Sequence, residues 1–115
     1  MNLKDTVNKI ATAMHDKKAK NILIIDIKES TSLADYFIIG SVTSNTHAKG
    51  VMGYIEDELK QINLEPIRRE GRHNSNWIVL DYGDIIVHIM ETETREFYNL
   101  EKLWQNDKNT VEFKG

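Results

Sequence analysis

The chain has no cysteine among its 115 residues, and its apolar runs are short. Without thiols it can form neither a disulfide framework nor a thiolate metal site, and it has no cysteine nucleophile. Runs such as residues 22–25 and 85–87 fall far below the roughly 20 apolar residues that span a bilayer. The first residues also lack the apolar core of a signal peptide. We therefore expect a cytoplasmic protein with no membrane segment.

A surplus of basic residues is also missing. The net charge is −3 and the isoelectric point is near 5.8, whereas modules that neutralise nucleic-acid phosphates usually carry excess positive charge. The one basic cluster contains Arg68, Arg69, Arg72 and His73, and glutamates interleave with it. We expect these side chains to be solvated or paired within the chain, with RNA contact as the alternative. The charge favours a basic protein as partner and predicts little or no direct RNA contact.

Apolar residues that recur every three or four positions predict two helices in the first half of the chain. The first occupies residues 2–17, and the second follows a capping residue such as Ser44. Between them, residues 21–27 and 35–42 are β-branched, continuous apolar runs typical of strands buried on both faces. Gly50 and Gly53 weaken the second helix, and we expect close packing against a strand to explain them.

The second half predicts an edge strand at residues 66–70, a hairpin over residues 77–90 and a final helix within residues 92–104. The apolar face of that helix contains Phe97, Leu100, Leu103 and Trp104. Residues 105–115 are mostly polar, so we expect a loosely ordered tail. This order of elements predicts a single α/β domain over residues 1–104, with a mixed sheet of about five strands flanked by helices.

The hairpin has two chemically different faces. A two-residue turn at Tyr82 and Gly83 would place Asp81 opposite Asp84 and Trp77 opposite His88. Because side chains alternate across a strand, one face is then wholly aliphatic and predicts core. Its residues are Ile78, Leu80, Ile85, Val87 and Ile89.

The other hairpin face mixes aromatic, aliphatic, sulfur-containing and charged side chains. It collects Trp77, Val79, Asp81, Asp84, Ile86, His88 and Met90. Such a mixture is typical of a protein-binding patch, because an ordinary solvent face carries more lysine, glutamate and threonine. The alternative is that a helix covers this face and buries Trp77.

Asp81 and Asp84 also permit a metal-site interpretation. Two facing carboxylates repel unless a cation lies nearby, and Gly40-Ser41 before a helix is reminiscent of nucleotidyltransferases. The closely spaced acid pair of those enzymes is absent, because these aspartates straddle a turn. The four histidines show no paired zinc spacing. We expect no catalytic residue, metal or cofactor, and keep a metal-dependent nucleotidyltransferase-like enzyme using Asp81 and Asp84 as the alternative.

Short motifs then follow one another along nearly the whole chain up to Trp104. They are Lys18-Ala19, Asp35-Tyr36-Phe37-Ile38-Ile39, Ser44 with His47, Glu70-Gly71, Trp77, Asp81-Tyr82-Gly83-Asp84, Val87-His88, Arg95 with Phe97-Tyr98, and Leu100-Glu101-Lys102-Leu103-Trp104. In order and spacing the chain closely resembles the ribosomal silencing factor (Iojap) family. It departs from the family at Asn21, where an acid is usual, and at Thr46, where a basic residue is common.

The resemblance implies a nucleotidyltransferase-like fold without the catalytic residues. It also implies a non-enzymatic homodimer that binds large-subunit ribosomal protein fourteen, takes no small-molecule substrate and sterically blocks joining of the small subunit when nutrients are scarce. Combined with the alternation of the hairpin, it predicts ten partner-binding positions, which either contact the partner or support the residues that do. They are Glu70, Trp77, Val79, Asp81, Tyr82, Asp84, His88, Met90, Tyr98 and Glu101.

Overall fold

The computed structural model describes residues 2–71 and 76–115. Its elements in chain order are α1 (Leu3–Asp16), β1 (Lys20–Asp26), β2 (Tyr36–Val42), α2 (Asn45–Lys60), β3 (Arg68–Glu70), β4 (Trp77–Asp81), β5 (Ile85–Glu91), α3 (Thr92–Tyr98), α4 (Leu100–Trp104) and β6 (Thr110–Phe113). The predicted α/β domain with a mixed sheet is confirmed. None of the helices in the described ranges has the length and apolar character needed to cross a membrane.

The described strands form one sheet in the order β3-β4-β5-β2-β1-β6. β2 and β5 pair in parallel, and the remaining neighbours pair antiparallel. A parallel pair needs a long crossover, which here contains α2, β3 and β4. The strands β2 and β5 therefore lie at the centre of the sheet. Burial on both faces is confirmed for β2, whereas the same prediction is wrong for β1, which is buried at only two of its seven residues.

Each face of the sheet has its own apolar core. On one face α1 and α2 pack over the aliphatic side of the hairpin, including Ile78, Leu80 and Val87, which are fully buried. The opposite face carries a smaller cluster around Phe37, Ile39 and Met90, covered by residues of α4. The alternation of β2 explains this division, because Ile38 points to the first core whereas Phe37 and Ile39 point to the second.

Local polar contacts fix the ends of the first two helices. Asn2 caps α1 by accepting from the Asp5 amide at 2.8 Å, and Ser44 caps α2 by accepting from the His47 amide at 3.0 Å. The His47 ring accepts from the Thr43 amide through Nδ1 and donates through Nε2 to the Lys17 carbonyl at 2.7 Å. His47 thus ties the end of α1 to the start of α2.

Glycines in these elements serve different purposes from those predicted. Gly40 lies in β2 directly beneath the Met14 methyl, and a Cβ there would overlap it, so packing accounts for this glycine. The prediction for α2 is wrong, because a Cβ at Gly50 or Gly53 would meet nothing within 4 Å. No packing contact in the described structure requires those two residues to be glycine.

The prediction of a loosely ordered tail over residues 105–115 is also wrong. β6 pairs antiparallel with β1 and forms one edge of the sheet. Asn109 anchors the approach to β6, because its side-chain amide donates to the Asp26 carbonyl at 3.1 Å and the Trp104 carbonyl at 2.9 Å. Phe113 then packs against the α1 side of the core.

The hairpin turn lies one residue later than predicted. Asp81 pairs with Ile86 rather than Asp84, and Trp77 pairs with Met90 rather than His88. The turn residues are Gly83 and Asp84, with Tyr82 N–H donating to the Ile85 carbonyl at 2.9 Å. Gly83 has φ +89°, a conformation that glycine adopts at low cost at the first position of a hairpin turn. The register shift of two preserves the predicted division into faces.

Candidate partner-binding surface

A shallow cleft lies where β3, β4 and α3 meet, on the sheet face opposite α1 and α2. We call it the Trp77 cleft. Four of the predicted partner-binding residues line it: Glu70, Trp77, Val79 and Tyr98. Glu70 pairs with Val79 across β3 and β4, and α3 brings Tyr98 to the same place. Its other described lining residues are Gly71, Asn76 and Thr94.

Trp77 forms the half-buried wall of this cleft. Its ring centroid lies 5.1 Å from that of Tyr98 and 5.9 Å from that of His88. Its Nε1–H donates to His88 Nδ1 at 3.1 Å. Tyr98 itself is 56% exposed. The sequence left open whether this face is exposed or is covered by a helix that buries Trp77. The structure is intermediate, because helix α3 contacts one side of the indole without burying it.

His88 and Met90 lie beneath the cleft, out of reach of a partner in this conformation. Met90 is fully buried and His88 is 7% exposed. The predicted roles of these two residues as contacts therefore need correction, because α3 and α4 cover this end of β5. Burial lowers the pKa of His88 to about 4, so the imidazole is neutral at physiological pH. The Phe37 ring packs edge-on against the imidazole, with 4.9 Å between the ring centroids.

The two aspartates do not form a carboxylate pair. The Asp81 carboxylate accepts the Gly83 N–H at 2.8 Å, which stabilises the turn. Asp84 is exposed, and its carbonyl accepts the amides of Asp35 at 2.8 Å and Tyr36 at 3.1 Å. Within residues 2–71 and 76–115, no group of three or more histidines and carboxylates is arranged to hold a metal ion.

Tyr82 lies on the opposite side of the sheet from Trp77. Its ring packs against the core formed with α1 and α2. Burial, with a smaller contribution from Glu56, raises the pKa of the Tyr82 phenol. Nearby, Arg69 forms an ion pair with Glu56, and Arg68 Nη1 lies 4.0 Å from Glu70 Oε1. This part of the basic cluster is paired within the chain, whereas Arg72 and His73 lie outside the described residues.

Glu101 belongs to a buried network centred on Arg95. The Arg95 guanidinium donates to Glu101 Oε2 at 2.9 Å, to the Asn21 carbonyl at 2.7 Å and to Ser41 Oγ at 2.9 Å. Asn21 has φ +51°, a left-handed conformation that asparagine tolerates better than most residues. The Glu101 carboxylate, predicted to contact a partner, is thus engaged in an ion pair within the chain. Sequence reasoning missed the burial of Arg95, because one arginine among charged neighbours gives no signal of it.

Two large residues of the predicted apolar helix face are exposed. Phe97 is 81% exposed and Leu103 is 78% exposed. The predicted single helix is divided into α3 and α4 at Asn99, which has φ +49°, so the apolar face does not continue from one helix to the next. The Phe97 ring contacts that of Tyr98 at 5.0 Å. Phe97 therefore extends the aromatic surface of the Trp77 cleft outward.

Comparisons with known proteins agree with this architecture. The family model described as "Ribosomal silencing factor during starvation" matches residues 1–115. A crystal structure of a protein from Chromobacterium violaceum has a TM-score of 0.89 and 28% sequence identity, covering 100% of this chain and 95% of that chain. Another from Bacillus halodurans has a TM-score of 0.82 and 28% identity, covering 96% of this chain and 99% of that one.

Named relatives make the assignment specific. The chain is 34% identical over 104 residues to Ribosomal silencing factor RsfS of Bacillus subtilis, covering 90% of this chain and 88% of that protein. It is 31% identical over 101 residues to Mitochondrial assembly of ribosomal large subunit protein 1 of Mus musculus, covering 85% of this chain and 44% of that protein. The fold is a single α/β domain, and the names of these relatives refer to ribosomes. The chain belongs to the ribosomal silencing factor family.

Proposed function

We propose that this protein is a non-enzymatic translation repressor of the cytoplasm. It binds the large ribosomal subunit through ribosomal protein fourteen and sterically blocks joining of the small subunit under nutrient limitation. The observation that carries this proposal is the match of the family model to the entire chain. The names of the relatives add support, since one is a ribosomal silencing factor and another is named for assembly of the ribosomal large subunit.

The Trp77 cleft supplies a suitable surface for a protein partner. Trp77, Val79 and Tyr98 provide aromatic and aliphatic area, and Glu70 provides a carboxylate that Arg68 partly offsets from 4.0 Å. Aromatic residues concentrate the binding energy of interfaces, whereas charges mainly improve orientation and encounter rate. Asp84 is exposed at the hairpin tip, outside the residues that line the cleft, and adds a second negative charge to the same hairpin. A basic ribosomal protein complements this combination.

The structure gives the motifs of the enzymatic alternative other roles. Ser41 is bonded to Arg95, Gly40 makes room for Met14, and Asp81 stabilises the hairpin turn. Each of these residues therefore has a local structural role that requires no nucleotide or metal. A blocking mechanism needs only an occupied docking surface, so it places no demand on catalytic groups.

We further propose that the protein is a homodimer in solution with little direct contact to RNA. The net charge of −3 supports the second point, since phosphate binding requires basic surface. Sedimentation velocity over a range of protein concentrations tests the dimer. A species with the monomer mass at every concentration would contradict it.

Co-sedimentation with purified large ribosomal subunits tests the proposed function. The wild-type protein should pellet with large subunits, and Trp77→Ala should bind at least about 30-fold more weakly if Trp77 is a hot spot. Val111→Ala, an exposed change on β6, is the matched control and should bind normally. The melting temperature of each variant shows whether it is still folded, so that weaker binding by a folded variant reports a lost contact. Equal binding by wild type and Trp77→Ala would disprove the interface, and failure of the wild type to bind would disprove the function.

A further inference from the structure

We infer that His88 is a positioning residue that fixes the orientation of the Trp77 indole in the partner-binding cleft. This inference rests on the proposed function, because it assigns His88 a role in binding at the same surface. It differs from the sequence-based prediction for His88, since the imidazole lies beneath the surface. It acts on the partner only through Trp77.

The hydrogen bond between these side chains has one possible direction. The indole Nε1–H is only a donor, so His88 Nδ1 must accept at the 3.1 Å distance. The neutral imidazole therefore carries its proton on Nε2. His88 lies on β5, opposite Val79 in the sheet, and its ring packs against Phe37. The acceptor is consequently held by a central strand and a buried aromatic contact.

The other imidazole nitrogen shows that packing alone does not explain a histidine here. Nε2 is buried and has no hydrogen-bond partner among the described residues. A buried N–H without a partner is unfavourable, and an apolar side chain of similar shape would avoid that cost. What histidine supplies and phenylalanine lacks is the Nδ1 acceptor. That acceptor is used by Trp77.

Two of the contacts among the described residues restrict the indole of Trp77. The hydrogen bond to His88 holds the pyrrole edge, and the Tyr98 ring at 5.1 Å packs against the ring system. A side chain already held in one orientation loses less conformational freedom when a partner binds. Trp77 would thus present the same surface before and after binding, with His88 selecting which edge faces the partner.

Indole NMR tests the positioning directly and requires no ribosome. In a ¹⁵N-labelled Trp104→Phe background, Trp77 gives the single indole N–H resonance. His88→Phe keeps a flat ring but removes the acceptor, so this resonance should shift upfield and exchange faster with water. His88→Asn can place its amide oxygen near the former Nδ1 position, so it should retain a hydrogen-bonded resonance. Trp77→Phe removes the donor and serves as the reciprocal variant for a double-mutant cycle.

Co-sedimentation with large subunits tests the consequence for binding. His88→Phe should bind about three- to tenfold more weakly, the range that one neutral hydrogen bond supports, and His88→Asn should recover most of the affinity. In the Trp77→Phe background, His88→Phe should have little further effect. If His88→Phe fails to fold, two other variants still test the hydrogen bond. Trp77→Phe, which lacks the donor, should bind more weakly than His88→Asn, which keeps an acceptor.

Three outcomes would overturn the inference. They are an unchanged indole resonance in His88→Phe, equal binding by wild type and His88→Phe, or equally weak binding by His88→Phe and His88→Asn. Failure of the wild type to bind large subunits would instead overturn the proposed function, together with the binding role of His88. The indole measurement distinguishes the two failures, because it reports the geometry in the free protein.

Discussion

The guanidinium of Arg95 donates to the backbone carbonyl of Asn21 at 2.7 Å, across 74 residues of sequence. This bond joins α3 to the start of β1. Since Arg95 also bonds to Ser41 and Glu101, one buried side chain connects β1, β2, α3 and α4. The position of α3, and with it that of Tyr98 beside Trp77, depends on this network.

Replacing Arg95 should therefore destabilise the domain strongly. Arg95→Met would leave the largely buried Glu101 carboxylate and the Asn21 carbonyl without the Arg95 donor, at a cost of about 3 kcal/mol in the free energy of unfolding. Arg68→Ala is the control, because its exposed 4.0 Å ion pair with Glu70 should contribute less than about 0.5 kcal/mol. Urea unfolding measures both. A loss below 1 kcal/mol for Arg95→Met would contradict the role of the network.

Acid should destabilise the protein through His88. The pKa of this residue is lowered to about 4 in the folded protein, from 6.5 in an unperturbed histidine. Between these values the unfolded chain takes up a proton that the folded chain does not. The contribution of His88 to stability is therefore nearly constant above about pH 7 and decreases as the pH falls from 6.5 toward 4, by about 3 kcal/mol in total.

Unfolding free energies of the wild type and His88→Asn, measured between pH 7.5 and 4.5, test this linkage. Contributions from other titrating groups are common to both proteins, so the difference between the curves isolates His88. The wild type should lose stability relative to the variant below pH 6.5. Parallel curves would show that His88 is not held neutral by burial.

Alanine substitutions should have opposite effects at two glycines. Gly40→Ala would force the buried Met14 methyl to shift. Because this methyl is the end of a flexible side chain, the variant should be destabilised by about 1 kcal/mol, at the low end of overpacking costs. Gly50→Ala meets open space in α2 and should stabilise by up to about 1 kcal/mol through helix propensity. Thermal unfolding of the two variants gives the comparison. Effects of the same sign would contradict the packing described for Gly40.

Phe97 should contribute to binding but not to stability. Its side chain is 81% exposed and contacts Tyr98, so Phe97→Ala should leave the melting temperature nearly unchanged while weakening large-subunit binding by about tenfold. Val111→Ala, 62% exposed on the opposite edge of the sheet, should change neither. Normal binding by Phe97→Ala would contradict this prediction and would show that the interface includes only the hairpin side of the cleft.

The two-sided fold was predictable from the sequence because strand alternation has a short, exact period. Ile78, Leu80 and Val87 were placed on the core face correctly even though the turn was misplaced by one residue. That error moved the pairing register by two, which returns each side chain to the same face. The position of the turn depends on the positive φ of Gly83 and on the hydrogen bond that the Asp81 carboxylate accepts. Composition alone does not distinguish a turn at Tyr82-Gly83 from one at Gly83-Asp84.

The last quarter of the chain was harder to predict because single residues determine its path. Asn99 adopts a left-handed conformation that divides α3 from α4 and leaves Phe97 exposed. Asn109 fixes the segment that leads into β6 through bonds to Asp26 and Trp104. Neither asparagine changes the local periodicity, so a method based on apolar spacing overlooks both.

The candidate site was predictable in part. Alternation and the family resemblance predicted Glu70, Trp77, Val79 and Tyr98, and the structure brings these four residues together in one cleft. The depth of His88 and Met90 and the pairing of Glu101 with Arg95 depend on how α3 and α4 pack over the sheet. Such long-range packing leaves no pattern within the hairpin itself.

The central claim is that the protein prevents the ribosomal subunits from joining. Purified large subunits, incubated with or without the protein and then mixed with small subunits, are analysed by light scattering and sucrose gradients. The account predicts that the wild type suppresses formation of joined ribosomes in proportion to its occupancy of the large subunit, whereas Trp77→Ala does not. Normal joining on large subunits saturated with the wild-type protein would contradict it.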